Sequence, residues 1–255
     1  MTMGPKPGKI ICAGLGPGDP DLISVRADRA IRQARQIAYF RKKGRPGQAR
    51  RIVAEMLAPG VIEHAMEYPV TVEIPFDSPE YNRLLSAFYD DWTARLAALV
   101  ATGDVVVLCE GDPLFYGSFM HLHARLQGLA EVEVIPGIPG MTGCWNAIGQ
   151  PMTWGDDAMT VLMGTLPEAE LARHMQQAQA LVVMKTGRNL PKIARALAAS
   201  GRMADAWLVE RGTMPNQRVT PLAQADLDAC PYFATVLVHG NGRRPLVDSA
   251  ADAAE

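Results

Sequence analysis

Strong charge of either sign is missing from this chain: 25 lysines and arginines stand against 27 aspartates and glutamates, a net of −2. Nothing global therefore draws it to nucleic acid or to an anionic membrane. Long apolar runs are missing as well, none reaching the roughly 18 residues that a spanning helix needs. The opening MTMGPKPGK has no hydrophobic region of the kind that marks secretion. Cysteine is scarce. Cys12, Cys109, Cys144 and Cys230 are far apart in sequence and form no CxxC pair, which argues against a disulfide framework or a zinc site. Three of them lie in apolar runs and read as buried free thiols in a reducing cytoplasm. No Ser-His-Asp or Cys-His constellation stands out, and no repeat or low-complexity tract is found. His121 and His123 lie two apart on an expected helix, where they point to different faces and cannot readily share a metal ion.

What is present is a core-forming composition. With 48% apolar and 20% charged residues in 255, the chain suits one large α/β unit or two domains of roughly 120 residues each. KIICAGLG is a short apolar strand running into the glycine loop 14–20, and apolar spacing from Leu22 to about Gln36 predicts a helix, which Asp19 or Asp21 would cap. Gln36–Phe40 reads as a strand, Ala49–Leu57 as a helix, and Glu80–Val100 as the longest helix. Asp104–Cys109 (DVVVLC) is a continuous apolar strand of the sort buried in a parallel sheet. Strands follow at Val132–Ile135, Met159–Met163, Ala180–Met184 and Ala206–Val209, with helices at Glu168–Gln177 and Leu190–Ala199. Gln217–Pro221 and Tyr232–His239 leave no room for a long crossover helix, so the C-terminal half is expected to be mixed and partly antiparallel. The boundaries expected are 1–137 and 138–243, with 244–255 a flexible tail. The four tryptophans, Trp92, Trp145, Trp154 and Trp207, read as core or interface.

Two loops carry candidate chemistry. GLGPGDP lacks the Gly-Lys-[Ser/Thr] of a P-loop, and Asp19 stands where a dinucleotide fingerprint has its third glycine. Asp19 and Asp21 would repel a pyrophosphate. By itself the loop is either a ligand loop or a structural turn. EGDPLFYG, residues 110–117, follows the buried strand directly, at the edge where open α/β sheets bind ligands. Its Asp112 could accept hydrogen bonds from a ligand, or cap a helix that begins near Ser118.

GLGPGDPDLIS, EGDPLFYGS, VIPGIPG, LVVMKTGRN, LVERGT and ATVLVH occur in this order along the chain, and in this the sequence resembles the tetrapyrrole methylase family over nearly its full length. YFRKKGRPG (39–47), MEYPVTVEIP (66–75) and MTGCW (141–145) resemble the branch that methylates precorrin-2 at C20. The resemblance implies two α/β domains, S-adenosylmethionine in the cleft between them, and a homodimer. It places Pro17, Glu110, Gly111, Asp112, Phe115, Pro139, Gly140, Met184 and Gly212 at the cofactor. Many relatives have Ser or Thr where Pro139 stands, so contact at 139–140 must come through backbone or shape.

The tetrapyrrole implied is a polycarboxylate, and residues 41–51 hold six cations and no acid. Arg41, Lys42 and Arg45 are the expected substrate contacts, against the plainer reading of a solvated basic loop; nucleic acid would want interleaved aromatics. The rivals are a cobalt-loaded substrate or another ring position, a relative acting on protein or RNA, a non-catalytic binding module, and a nicotinamide oxidoreductase with Arg41 on a 2′-phosphate.

Overall fold

The computed structural model describes residues 7–71, 73–75 and 78–244. Residues 1–6, Val72 of the Met66–Pro75 segment, and 245–255 of the expected tail lie outside the described residues. The chain divides after Gly140 into two compact units.

The first unit carries an all-parallel sheet of five strands: β1 (Ile10–Gly14), β2 (Gln36–Lys42), β3 (Ile62–Tyr68), β4 (Val105–Cys109) and β5 (Val132–Ile135), in the order β3-β2-β4-β1-β5. Strand alternation separates two cores. Ile11, Ala13, Ile37, Val106 and Leu108 face α1 (Val25–Arg32) and α2 (Gln48–Ile52). Ile10, Cys12, Ala38, Val105 and Val107 face α3 (Pro79–Leu99) and α4 (Phe119–Leu126). The neighbours β1 and β4 therefore send their connections to opposite faces. That is a topological switch point, where an open parallel sheet leaves a crevice at its carboxyl edge.

The second unit has a mixed sheet of β6 (Met159–Met163), β7 (Ala180–Met184), β8 (Ala206–Glu210), β9 (Arg218–Pro221) and β10 (Ala234–Val238), in the order β6-β7-β10-β8-β9. β10 inserts antiparallel between β7 and β8, which α7 (Leu190–Ala199) connects. α6 (Glu168–Gln177) and α7 bury Leu171, Met175, Ile193 and Leu197 on one face. On the other face Cys144 of α5 (Gly140–Ile148) hydrogen-bonds Thr235 of β10. The sheet is mixed and partly antiparallel, as expected, but not for the expected reason: β9 and β10 each pair antiparallel with β8 between them, so the short connection 222–233 joins two parallel strands.

Several expected elements differ. The Leu22–Gln36 segment opens as a 3-10 turn, Pro20–Leu22, capped by Asp19, and α1 begins only at Val25, capped by Ser24. Ala49–Leu57 shortens to α2, because turns take over at Val53. β3 went unread: it is an edge strand whose Glu63 and Glu67 pair with Arg50 and Arg41, so it lacks an apolar signature. Trp92 packs partly buried against the core shared with α3 and α4, with Arg95 over its ring, and Arg244 lies over Trp154.

Candidate functional site

The carboxyl ends of β1, β4 and β5 release three glycine turns that meet backbone to backbone. Gly111 N–H donates to the Gly16 carbonyl at 2.8 Å, Gly16 N–H returns to the Gly111 carbonyl at 3.4 Å, and Leu15 N–H reaches the Cys109 carbonyl at 2.9 Å. Gly16 and Gly111 both adopt left-handed backbone, φ +74° and +66°, which glycine accepts without strain. The β5 turn closes on this pair. A Cβ on Gly14 would come within 2.5 Å of the Gly137 nitrogen, so the contact tolerates no side chain. The loops at 14–20 and 110–117, far apart in sequence, thus form one backbone cluster over the switch point.

Asp112 fastens the cluster. Its Oδ1 accepts from Leu114 N–H at 2.9 Å and its Oδ2 from Gly137 N–H at 3.1 Å, so one carboxylate bridges the β4 and β5 turns. It does not cap α4; Ser118 stands at that N-terminus and makes no side-chain cap bond. Glu110 reaches sideways, and its Oε1 accepts Ala49 N–H in the first turn of α2 at 2.9 Å. The residue is exposed to solvent. Desolvation raises its carboxyl above the ordinary carboxylate range, with two backbone N–H groups opposing.

The other expected positions distribute as follows. Pro17 is buried in the β1 turn. Phe115 sits edge-to-face on Tyr116, centroids 4.8 Å apart. Pro139 and Gly140 lie beside Gly111: a Cβ there would be 3.5 Å from the Gly140 nitrogen and 3.9 Å from the Pro139 Cα. Gly140 itself has open space where a side chain would be, at the start of α5. In the second unit Met184 ends β7, and Gly212 follows β8, where a Cβ would press on Cys144 at 3.0–3.2 Å.

The basic segment is more committed than its composition suggests. Arg41 Nε donates to Glu67 at 2.9 Å, Lys42 pairs with Glu73 at 3.2 Å, and Arg50 grips Glu63 with both Nε and a terminal nitrogen. All three acids lie in 62–73, outside the 41–51 window. Arg45 is exposed and has no carboxylate partner among the described residues. Arg41 is thus held by Glu67 rather than open for a 2′-phosphate.

Four non-glycine residues adopt left-handed backbone directly after strands or in the candidate turns: Tyr116 (φ +53°), Lys185 (+54°), Arg211 (+51°) and Thr213 (+68°). Such strain collects where geometry serves a ligand. Lys185 adjoins Met184, and Arg211 and Thr213 flank Gly212. No residue type in the sequence advertises these conformations, so sequence reading missed them. Among the described residues no group of three His, Cys, Asp or Glu could hold a metal ion, and no helix is long and apolar enough to cross a membrane.

Comparison with known proteins bears on this cluster. The model of the Tetrapyrrole (Corrin/Porphyrin) Methylases matches residues 9–227. The chain belongs to that family. It is 52% identical over 239 residues to a precorrin-2 C(20)-methyltransferase of a Sinorhizobium species, covering 93% of this chain and 98% of that one. It is 28% identical to the cobalt-precorrin-2 C(20)-methyltransferase of Salmonella typhimurium, covering 91% and 96%. A cobalt precorrin-4 methyltransferase structure superposes with a TM-score of 0.68 at 21% identity, covering 91% and 94%. A uroporphyrin-III C-methyltransferase of Thermus thermophilus complexed with S-adenosylhomocysteine gives 0.63 at 22%, covering 91% and 97%. These two carry the fold. This tetrapyrrole methylase is a methyltransferase, and the glycine cluster forms the carboxyl edge of its first sheet.

Proposed function

We propose that the chain transfers a methyl group from S-adenosylmethionine to C20 of precorrin-2, giving precorrin-3A on the way to cobalamin. The end-to-end likeness to the Sinorhizobium enzyme carries this reading, and the chemistry of the rim supports it. Glu110 and Asp112, with Asp19 and Asp21 in the β1 turn, make the rim acidic, which suits a sulfonium and an ammonium group and repels a pyrophosphate. Gly140, open at the start of the nine-residue α5, leaves room for a ligand carboxylate near free N–H groups. Pro17, Glu110, Gly111, Asp112, Phe115, Pro139 and Gly140 are the cofactor positions proposed in the first unit, and Met184 and Gly212 those in the second. When bound, the cofactor supplies a methyl group on a good leaving group, so the protein's task is alignment and the exclusion of water. Well-aligned partners can supply on the order of 7–11 kcal/mol of such a barrier.

Arg45 is the leading candidate to meet a substrate carboxylate, with Arg41 and Lys42 alongside it once their own acids yield. A cytoplasmic homodimer completes the proposal; buried Cys12, Cys109 and Cys144, all free thiols, suit a reducing compartment. The test is incubation with methyl-labelled cofactor and precorrin-2, metal-free and cobalt-loaded in parallel, with the label located by NMR. Label at C20 of the metal-free substrate is expected. Label only in the cobalt form moves the substrate assignment, label at another carbon refutes the regiochemistry, and no label in either refutes the reading.

A further inference from the structure

Methylation of a bridging carbon that carries hydrogen leaves a proton to be removed. As the carbon attacks, the carbon–sulfur bond breaks, its electron pair stays on sulfur, and the attacked carbon becomes tetrahedral, bearing both methyl and hydrogen, while the positive charge spreads over the adjoining conjugated carbon–nitrogen system of the macrocycle. Conjugation returns only when that hydrogen leaves as a proton and its bonding pair returns to the ring. We infer that the side chain of Glu110 accepts this proton through its Oε2, a role that rests on the methyl-transfer reading above.

Elimination along the carboxyl rim of the first sheet supports the assignment. Asp112 has both oxygens engaged by backbone N–H groups, at 2.9 and 3.1 Å. Glu67 is neutralised by Arg41 and Glu73 by Lys42. Asp19 accepts its own turn's N–H at 2.9 Å, and Asp21 stands exposed in water. Glu110 differs from all of these. One oxygen is anchored on Ala49 N–H, which fixes the direction of the group, while no side chain among the described residues hydrogen-bonds to it. The cations on neighbouring elements, Arg41 and Lys42 of β2 and Arg50 of α2, are each bound to another acid, and Arg51 of α2 makes no hydrogen bond to it. Its carboxyl is raised by desolvation, which strengthens it as a base relative to an ordinary glutamate. It also directly follows the central strand β4, immediately before the Gly16–Gly111 contact, so it sits on the proposed cofactor wall and remains open to a substrate. After the step the neutral acid returns its proton to solvent, and the site is restored.

Glu110→Gln keeps an oxygen for Ala49 N–H and removes the base. The expected result is a fall in kcat on the order of 10²–10⁴-fold, with tetrapyrrole KM within about twofold of wild type and any loss of S-adenosylhomocysteine affinity far smaller than the loss in kcat. The wild-type kcat should rise with pH through a midpoint above the ordinary glutamate value; Glu110→Gln should lose that limb, and Glu110→Asp should regain part of the rate. A readout independent of turnover is ¹³C NMR titration of the side-chain carboxyls in glutamate-labelled protein, where the resonance lost in Glu110→Gln should titrate above the other glutamates. Equal kcat in Glu110→Gln, or a Glu110 resonance that titrates with or below the others, overturns the inference. If Glu110→Gln fails to fold, the wild-type titration, assigned through Glu110→Asp, decides alone. A wild-type enzyme that methylates no tetrapyrrole refutes the functional reading instead, a result distinct from an active wild type with an equally active Glu110→Gln.

Discussion

A Cβ placed on Gly137 would lie 2.1 Å from the carbonyl oxygen of Gly111. The turns after β5 and β4 are therefore packed main chain on main chain, and the Gly137 N–H that reaches Asp112 comes from the same contact. A side chain at 137 must push the two turns apart.

Gly137→Ala is accordingly expected to cost about 1–3 kcal/mol of stability, the range of overpacking at a tight site, and to weaken cofactor binding as well. Gly140→Ala meets open space, so its melting temperature should match wild type. Calorimetry for both variants, with S-adenosylhomocysteine titrations, separates the two effects: Gly140→Ala should lose affinity alone if Gly140 lines the cofactor.

Arg45→Gln should raise the tetrapyrrole KM severalfold and leave cofactor affinity unchanged, since the residue spends no charge on a carboxylate of its own. Neutralising Arg41, Lys42 and Arg45 together should raise it further while also freeing Glu67 and Glu73. Steady-state kinetics with each substrate varied checks this; a shift confined to the cofactor constant would refute the assignment.

Glu63 ties three elements together, taking the Arg50 guanidinium of α2 and the Tyr39 hydroxyl of β2 onto β3. The Arg50 hydrogen bonds hold its carboxyl below the usual range, with Tyr39 adding to them. A depressed carboxylate stabilises the fold above its unfolded value, and that contribution is lost as the pH falls through the folded value. Glu63→Gln should therefore cost about 0.5–1 kcal/mol near neutrality, the scale of a partly exposed ion pair. The difference should vanish in strong acid. Urea unfolding of both proteins across the acid range measures it.

Thr186 is fully buried beyond the end of β7, and its hydroxyl donates to the Ala234 carbonyl of β10 at 2.9 Å. Thr186→Val keeps the volume but leaves that carbonyl unpaired, at a cost of about 1–3 kcal/mol. Denaturant midpoints give the value, and Thr186→Ser should retain most of the stability.

The sequence by itself determined the elements whose burial is total. β1 and β4 are apolar throughout, and β10 is apolar but for Thr235, because both faces of each strand are covered. The glycine turns were legible as turns, since positive φ selects for glycine locally. Tertiary structure decided what local preference does not encode. That Gly16 meets Gly111, and that Asp112 holds Gly137 rather than capping α4, depends on strand order, which sets β1 between β4 and β5. The edge strand β3 escaped reading because its acids are satisfied by arginines brought up from β2 and α2, an arrangement no single-strand pattern records. Ion pairing also commits three of the six cations of the basic segment, Arg41, Lys42 and Arg50, to acids of 62–73. The setting of Glu110 is also a tertiary product: its Oε1 is held by Ala49 N–H, 61 residues away in sequence, and a lone glutamate after an apolar strand does not announce it.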